Sequence, residues 1–259
     1  MHAPTPTSPA LPGIAAEILA RVRERKPRVH CITNVVAQSL TANVLLAAGA
    51  VPSMTVAPDE IAHFVSSAEA LVVNLGTLDR ERRQSIEIAI DTANAARHPW
   101  VLDPVFVDRS PSRRAFAARL VDKKPSVLRL NSVEFASLSG EEANEQALAA
   151  YAREHGAIVA LTGATDIIGG GGRMVKIANG DVLMTRVAGM GCAGTALTGA
   201  FLAVEPDAWL ASAAGLLVFA VAGECAAELA RGPGSFAVEI VDALAKLDRE
   251  TLDVRARLA

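Results

Sequence analysis

Ala70-Leu71-Val72-Val73-Asn74-Leu75 is apolar almost throughout. A strand with one wet face alternates apolar and polar residues. This run does not, which is how a parallel strand covered on both faces reads. Beyond it, Arg80 to Ala96 has the pattern of a helix, and Trp100-Val101-Leu102-Asp103-Pro104 reads as the next strand. The three together are one strand–helix–strand unit.

Working outward, the same unit recurs. Upstream, Ile14 to Glu24 reads as an amphipathic helix and Val29-His30-Cys31-Ile32-Thr33-Asn34 as a short strand entering a loop. Ser39 to Ala48 reads as a helix stopped by Gly49. Downstream, Ser126 to Asn131 is a strand, a helix starts at Ser132, and Ala157 to Gly163 is another strand. About four units imply an α/β fold: a mostly parallel central sheet with helices on both faces. Between Thr165 and Val187 come three short apolar runs, split by Gly169-Gly170-Gly171-Gly172 and by Asn179-Gly180. Asn-Gly is a hairpin signal, so an antiparallel edge is expected there. Two buried helices should then close a single domain spanning residues 14–259. The proline- and serine-rich residues 1–13 read as a disordered tail, without the basic and apolar regions of a signal peptide.

Composition narrows the function. The chain has 259 residues, 51% of them hydrophobic, and a net charge of −3. There is no basic footprint for nucleic acid. Val187 to Val204 and Ala208 to Gly223 are uncharged, but small residues fill both and Glu205-Pro206-Asp207 separates them. They read as buried helices, not membrane spans. Cys31, Cys192 and Cys225 form no CxxC pair, which argues for free thiols and a reducing compartment. A protein of the cytoplasm acting on a small molecule is expected.

Ligands of such sheets bind beyond the carboxyl ends of the strands, where Thr33, Asn34, Asn74, Asp103, Asn131 and Thr162 would gather. The most pointed motif is Gly189-Met190-Gly191-Cys192-Ala193-Gly194-Thr195. It follows the strand-like run Val182 to Val187 and opens a helix. Glycines there let a ligand approach, and the N–H groups of Gly189, Met190, Gly191 and Cys192 make an anion hole. The helix start should favour the Cys192 thiolate. The motif also matches the G-x-G-x-x-G dinucleotide fingerprint, but the second strand ending in an acid is missing. A turn that only allows close helix packing is the plainer alternative. No GxxxxGK[ST] P-loop occurs. Asp103 ends a buried strand, where a carboxylate needs a cation or a donor. Glu134 falls on the first turn of the helix after Asn131, either as a second Mg²⁺ carboxylate or as a capping group. Arg129 interrupts an apolar strand and calls for an anion. Thr162-Gly163 could meet a phosphate or adenine. His30, His63 and His155 read as structural or surface residues, Met54 as core, and Arg80-Glu81-Arg82-Arg83 as a solvated face.

Nine pieces occur in order: Val29 to Asn34, Thr41 to Ala50, Pro52-Ser53-Met54, Asn74 to Leu78, Leu102 to Val105, Arg129-Leu130-Asn131 with Glu134, Leu161-Thr162-Gly163, Gly189 to Cys192, and Gly232 to Phe236. Together they resemble the hydroxyethylthiazole kinases of the ribokinase-like superfamily. The resemblance implies a ribokinase-like three-layer fold and ATP- and Mg²⁺-dependent phosphorylation of the hydroxyl of 4-methyl-5-(2-hydroxyethyl)thiazole in thiamine salvage. It also implies a homotrimer with the thiazole pocket at the subunit interface. By motif position, Met54 and Gly189 would contact the thiazole and Arg129 and Thr162 would contact ATP. Asp103 and Glu134 would serve Mg²⁺. Cys192 would stand where most sugar kinases of the superfamily carry a catalytic aspartate. Two departures stand out: Phe106-Val107-Asp108-Arg109-Ser110 replaces a small glycine-rich loop, and Ser39 stands where another asparagine is usual. The alternatives are a kinase for another small alcohol, such as a hydroxymethylpyrimidine or a sugar, and a catalytically weak nucleotide- or thiazole-binding homologue.

Overall fold

The computed structural model describes residues 10–259. Eight strands form one sheet: β1 (Arg28–Ile32), β2 (Val51–Ser53), β3 (Ala70–Asn74), β4 (Trp100–Asp103), β5 (Val127–Asn131), β6 (Ile158–Thr162), β7 (Asp166–Gly170) and β8 (Arg173–Ile177). Their spatial order is β2-β1-β3-β4-β5-β6-β7-β8. The first six run parallel, and β7 and β8 add an antiparallel edge.

Alternation along the strands divides the core in two. In β3, Leu71 and Val73 face a layer built from α3 (Ile61–Ser66), α4 (Arg80–Ala96), α5 (Pro111–Val121), α6 (Ser132–Ser139) and α7 (Glu145–His155). Val72 faces the opposite layer. That layer holds α1 (Leu11–Arg25), α2 (Gln38–Ala48), α8 (Met190–Leu202), α9 (Ala208–Leu229), α10 (Pro233–Lys246) and α11 (Arg249–Arg255). Both faces of β3 are therefore dry, as its apolar run requires. By length and composition α9 could cross a membrane, yet 78% of its apolar window is buried inside the protein.

The structure corrects several boundaries. Of the tail expected over residues 1–13, residues 1–9 lie outside the described part. Leu11, Pro12 and Gly13 belong to α1, because Leu11 is buried against the core. The hairpin turns at Gly171 and Gly172, both with positive φ, and not at Asn179-Gly180. Val182–Arg186 is a 3-10 turn, not a strand, started by the Asp181 side chain accepting the Leu183 N–H at 2.8 Å. The place of a further strand is already taken: Lys176 exchanges two backbone bonds with Ala259 at the chain's end. Two more helices, α10 and α11, follow the two that were expected to close the domain. Arg82 is buried and donates to the Thr33 carbonyl at 2.7 Å, so that helix face is not wholly solvated.

Candidate active site

Side chains alternate along a strand, and Val72, Val101 and Val127 all lie in the core on the α8 side. Two residues further along each strand come Asn74, Asp103 and Arg129, facing the same layer at the carboxyl edge. β3 and β4 are in register at Asn74 and Asp103.

Asp103 is the hub and is buried. Its Oδ2 accepts from Asn74 Nδ2 at 2.8 Å and from Thr195 Oγ1 at 2.6 Å. Arg129 Nη1 is 3.7 Å from the same oxygen. Burial pushes the Asp103 carboxyl up, and Arg129, Thr195 and Asn74 pull it back. Asn74 Nδ2 also donates to Cys192 Sγ at 3.3 Å, while its Oδ1 accepts the Gly76 N–H at 2.9 Å. These three bonds orient the amide and link the Cys192 sulfur to Asp103. Burial and the Asp103 charge push the Cys192 thiol up to about 12. This overturns the expected thiolate: desolvation and a neighbouring carboxylate outweigh the helix start, and the group is a thiol at neutral pH.

The first turn of α8 lies above this cluster. Gly189 caps it with φ +82°, and a Cβ there would lie 2.7 Å from the Ala37 Cβ. No side chain caps the helix, so the N–H groups of Gly191 and Cys192 are left for a ligand, while the Met190 N–H, expected in the same hole, already donates to the Val187 carbonyl at 3.4 Å. Arg129 flanks the same turn, its Nη1 3.4 Å from where a Gly191 Cβ would stand. The side chain of Arg129 is only 14% exposed, and its Nε is buried without a partner. A cation with an unspent donor beside an uncapped helix start is an anion site.

Glu134 satisfies the capping alternative. Its Oε2 accepts the Asn131 N–H at 3.0 Å in a full capping box, and its Oε1 accepts the Phe106 N–H at 3.0 Å. Burial and the charge of Asp103 raise its pKa, against the two N–H groups and Arg129. The loop after β4 is thus pinned to the carboxylate that faces Asp103.

Thr162 ends β6 in register with Asn131 and donates to the Leu130 carbonyl at 3.4 Å. Next to it the Gly163 N–H donates to Asp166 Oδ1 at 3.0 Å. A cavity of about 190 Å³, lined by Arg129, Asp166, Met184, Met190, Gly191 and Phe219 among others, opens beside the α8 turn. Two larger grooves, of about 530 and 540 Å³, lie at the amino ends of the strands, away from this polar cluster. Met54 follows the edge strand β2 and is half-buried against the α8-side core. Beneath it, neutral His30 accepts from Ser53 Oγ at 2.8 Å and donates to the Thr55 carbonyl at 3.1 Å. Burial pushes His30 down to about 4.

Among the residues read as site candidates, Asp103, Arg129, Glu134 and the Gly189–Cys192 turn come together. Thr162 sits further along the same rim, and Met54 at the far edge. Asn74 was expected on the rim but given no role, and Thr195 and Asp166 were missed as site residues. Thr195 was findable, since it lies one turn after Cys192 on the same helix face.

The sequence matches the hydroxyethylthiazole kinase family over residues 19–250. A hydroxyethylthiazole kinase of Rhizobium etli (strain CIAT 652) is 45% identical over 256 residues, covering 93% of this chain and 99% of the relative. The chain belongs to the hydroxyethylthiazole kinase family. The solved hydroxyethylthiazole kinase of Pyrococcus horikoshii OT3 superposes with a TM-score of 0.91 at 39% identity, covering 95% of this chain and 98% of that one. A ribokinase-like superfamily protein from Enterococcus faecalis V583, 14% identical with a TM-score of 0.66, covers 90% of this chain and 95% of its own. It shows the ribokinase-like fold alone. Members of the hydroxyethylthiazole kinase family are small-molecule kinases.

Proposed function

We propose that the protein phosphorylates the hydroxyl of 4-methyl-5-(2-hydroxyethyl)thiazole with ATP as donor, as a thiamine-salvage kinase of the cytoplasm. The observation that carries this is the chain of contacts from Cys192 through Asn74 to Asp103 and Arg129 beneath the uncapped start of α8. It sets a hydrogen-bonding sulfur and an anion hole within one cluster, as transfer from phosphate to an alcohol requires.

In this reading the N–H groups of Gly189, Gly191 and Cys192 hold the transferring phosphoryl group, and the Met190 N–H holds the turn through the Val187 carbonyl. Arg129 offsets its charge with the donor it has not spent. Arg129 and Thr162 hold ATP, with Asp166 lining the cavity beside Arg129. Met54 and Gly189 contact the thiazole. Cys192, a thiol, positions the alcohol by hydrogen bonding and does not act as a strong base; loose phosphoryl transfer asks little of a base.

Asp103 and Glu134 fit Mg²⁺. They are two buried carboxylates, the charge of Asp103 raising the proton affinity of Glu134, and each keeps lone pairs beyond its hydrogen bonds. No closed cage of three or more His, Cys, Asp or Glu occurs among the described residues. That suits a cation that takes one or two carboxylates and completes its shell with phosphates and water. When bound it would neutralise phosphate charge.

The homotrimer is proposed to form along the open edge of β2. Val51 is 45% exposed there, and Leu46 on the adjoining α2 is 58% exposed. That edge also carries Met54 toward a neighbour.

The test is turnover: ADP and phosphorylated thiazole formed together from ATP, the thiazole alcohol and Mg²⁺. Turnover of a hydroxymethylpyrimidine or a sugar in preference to the thiazole would overturn the substrate. Ligand-induced thermal stabilisation without any turnover would overturn the kinase.

A further inference from the structure

Among the described residues, five non-glycine residues hold a left-handed backbone: Lys26, Thr77, Arg97, Phe106 and Lys124. Lys26 and Arg97 are helix C-caps, and Lys124 lies just past the end of α5, where that conformation is routine. Thr77 and Phe106 are different, since both lie on the rim at the carboxyl edge of the sheet. Thr77 has a local reason, because its hydroxyl donates to Asn34 Oδ1 at 2.6 Å. Phe106 has only its turn: the Val107 N–H donates to the Pro104 carbonyl at 3.2 Å, which puts Phe106 third in a turn where glycine or asparagine is the usual residue. It holds φ +61°, a conformation that glycine adopts freely and an aromatic residue resists.

The surroundings over-determine it. The Phe106 N–H donates to Glu134 Oε1 at 3.0 Å. On one side, Arg113 Nη1 donates to the Val105 carbonyl at 3.2 Å. On the other, Val107 is buried in the core, and the Ser137 hydroxyl donates to its carbonyl at 3.4 Å. Between these anchors the Phe106 side chain is 54% exposed. The fold thus spends conformational strain on keeping an apolar ring out of the core, one hydrogen bond from the carboxylate that faces Asp103. Strain of this kind at a site points to a role there.

We propose that Phe106 is the apolar cover of the phosphate end of the site and makes the enzyme transfer its phosphoryl group to the alcohol and not to water. The inference rests on the kinase reading above. In either reaction the bond from the γ-phosphorus to the ADP oxygen breaks. A new phosphorus–oxygen bond forms, to the alcohol or to water, and the acceptor's proton passes to solvent. The two differ only in the acceptor, so excluding water from the carboxylate side sets the ratio between them. Phe106 stands on the Glu134 side of Asp103, and Cys192 stands on the Asn74 side. The cover and the acceptor position are therefore on opposite flanks, and the ring can shut out water without occupying the place of the alcohol.

The experiment measures ADP and phosphorylated thiazole separately, with and without the thiazole alcohol, in the wild-type protein, Phe106→Gly and Phe106→Leu. Glycine accepts φ +61°, so Phe106→Gly is expected to keep the wild-type melting temperature. Its ratio of ADP to phosphorylated thiazole is expected to rise about tenfold, and Phe106→Leu, which restores an apolar cover, to return most of the way. A folded Phe106→Gly with the wild-type ratio would overturn the role of Phe106 and leave the kinase standing. A wild-type protein that forms no phosphorylated alcohol would overturn the kinase reading and the inference with it.

Discussion

Replacing Gly189 with alanine should damage stability and catalysis together, and the structure separates the two contributions. Alanine at φ +82° pays the left-handed penalty, about 1–2 kcal/mol. Its Cβ would lie 2.7 Å from the Ala37 Cβ and 2.9 Å from the Ala37 Cα. Backbone cannot swing aside as a side chain can, so overpacking adds about 1–3 kcal/mol. The sum is about 2–5 kcal/mol, or a fall in Tm of roughly 4–20 °C for a domain of this size. Gly140→Ala is the control. Gly140 has φ +77° and nothing within 4 Å of a Cβ, so it pays the backbone penalty alone. Its Tm should fall by roughly 2–8 °C, with kcat unchanged. In Gly189→Ala the first turn of α8 must shift away from Ala37, moving the anion hole, and kcat should drop about a hundredfold. Ala37→Gly in the same chain should recover part of both losses. Differential scanning calorimetry and turnover at 20 °C, well below either melting point, make the comparison. If Gly189→Ala melts with Gly140→Ala and keeps kcat within about twofold of wild type, the α8 start is not the anion hole.

Three further outcomes are expected. Asp103→Asn should lower kcat by at least about a hundredfold in steady-state assays while keeping the fold, because Asn Oδ1 still accepts from Asn74 and Thr195 but no longer balances Arg129. With the Cys192 thiol up at about 12, kcat should show no thiol ionisation between pH 6 and 9. Cys192→Asp, a hydrogen-bond acceptor of far lower pKa, should keep or raise kcat, and total loss in a folded variant would mean that sulfur itself is required. For His30, whose folded pKa is near 4 against 6.5 unfolded, the unfolded chain binds the proton more tightly. Its contribution is whole above pH 6.5 and is lost as the pH falls toward 4, by about 3 kcal/mol in urea unfolding curves; His30→Leu should flatten that slope.

Much of the chemistry was legible because it is written locally. The Asn131–Glu134 capping box is a spacing, and the Gly189 turn is a motif. The apolar runs at 70–75 and 100–103 have to be parallel strands covered on both sides, whatever else the chain does. Period-two counting along β3, β4 and β5 even assigns Asn74, Asp103 and Arg129 to one face. The sequence by itself thus determined the α/β class, the edge of the sheet where its polar residues gather, and the family.

What it could not determine depends on partners distant along the chain. Asn179-Gly180 looks like a hairpin, but Asn179 is buried and donates to Glu224 at 3.1 Å and to the Arg255 carbonyl at 2.7 Å, accepting in turn from the Arg257 N–H. No local rule anticipates a turn pinned by the chain's last residues. Cys192 has the same lesson at the site. Its place at a helix start favours a thiolate, and only the fold brings Asp103 and a desolvating shell against it. Local geometry sets a preference of about a kcal/mol, whereas burial beside a like charge shifts an ionisation by several. Tertiary structure therefore decided the thiol's protonation, which is why the role proposed for Cys192 is to position the alcohol and not to take its proton.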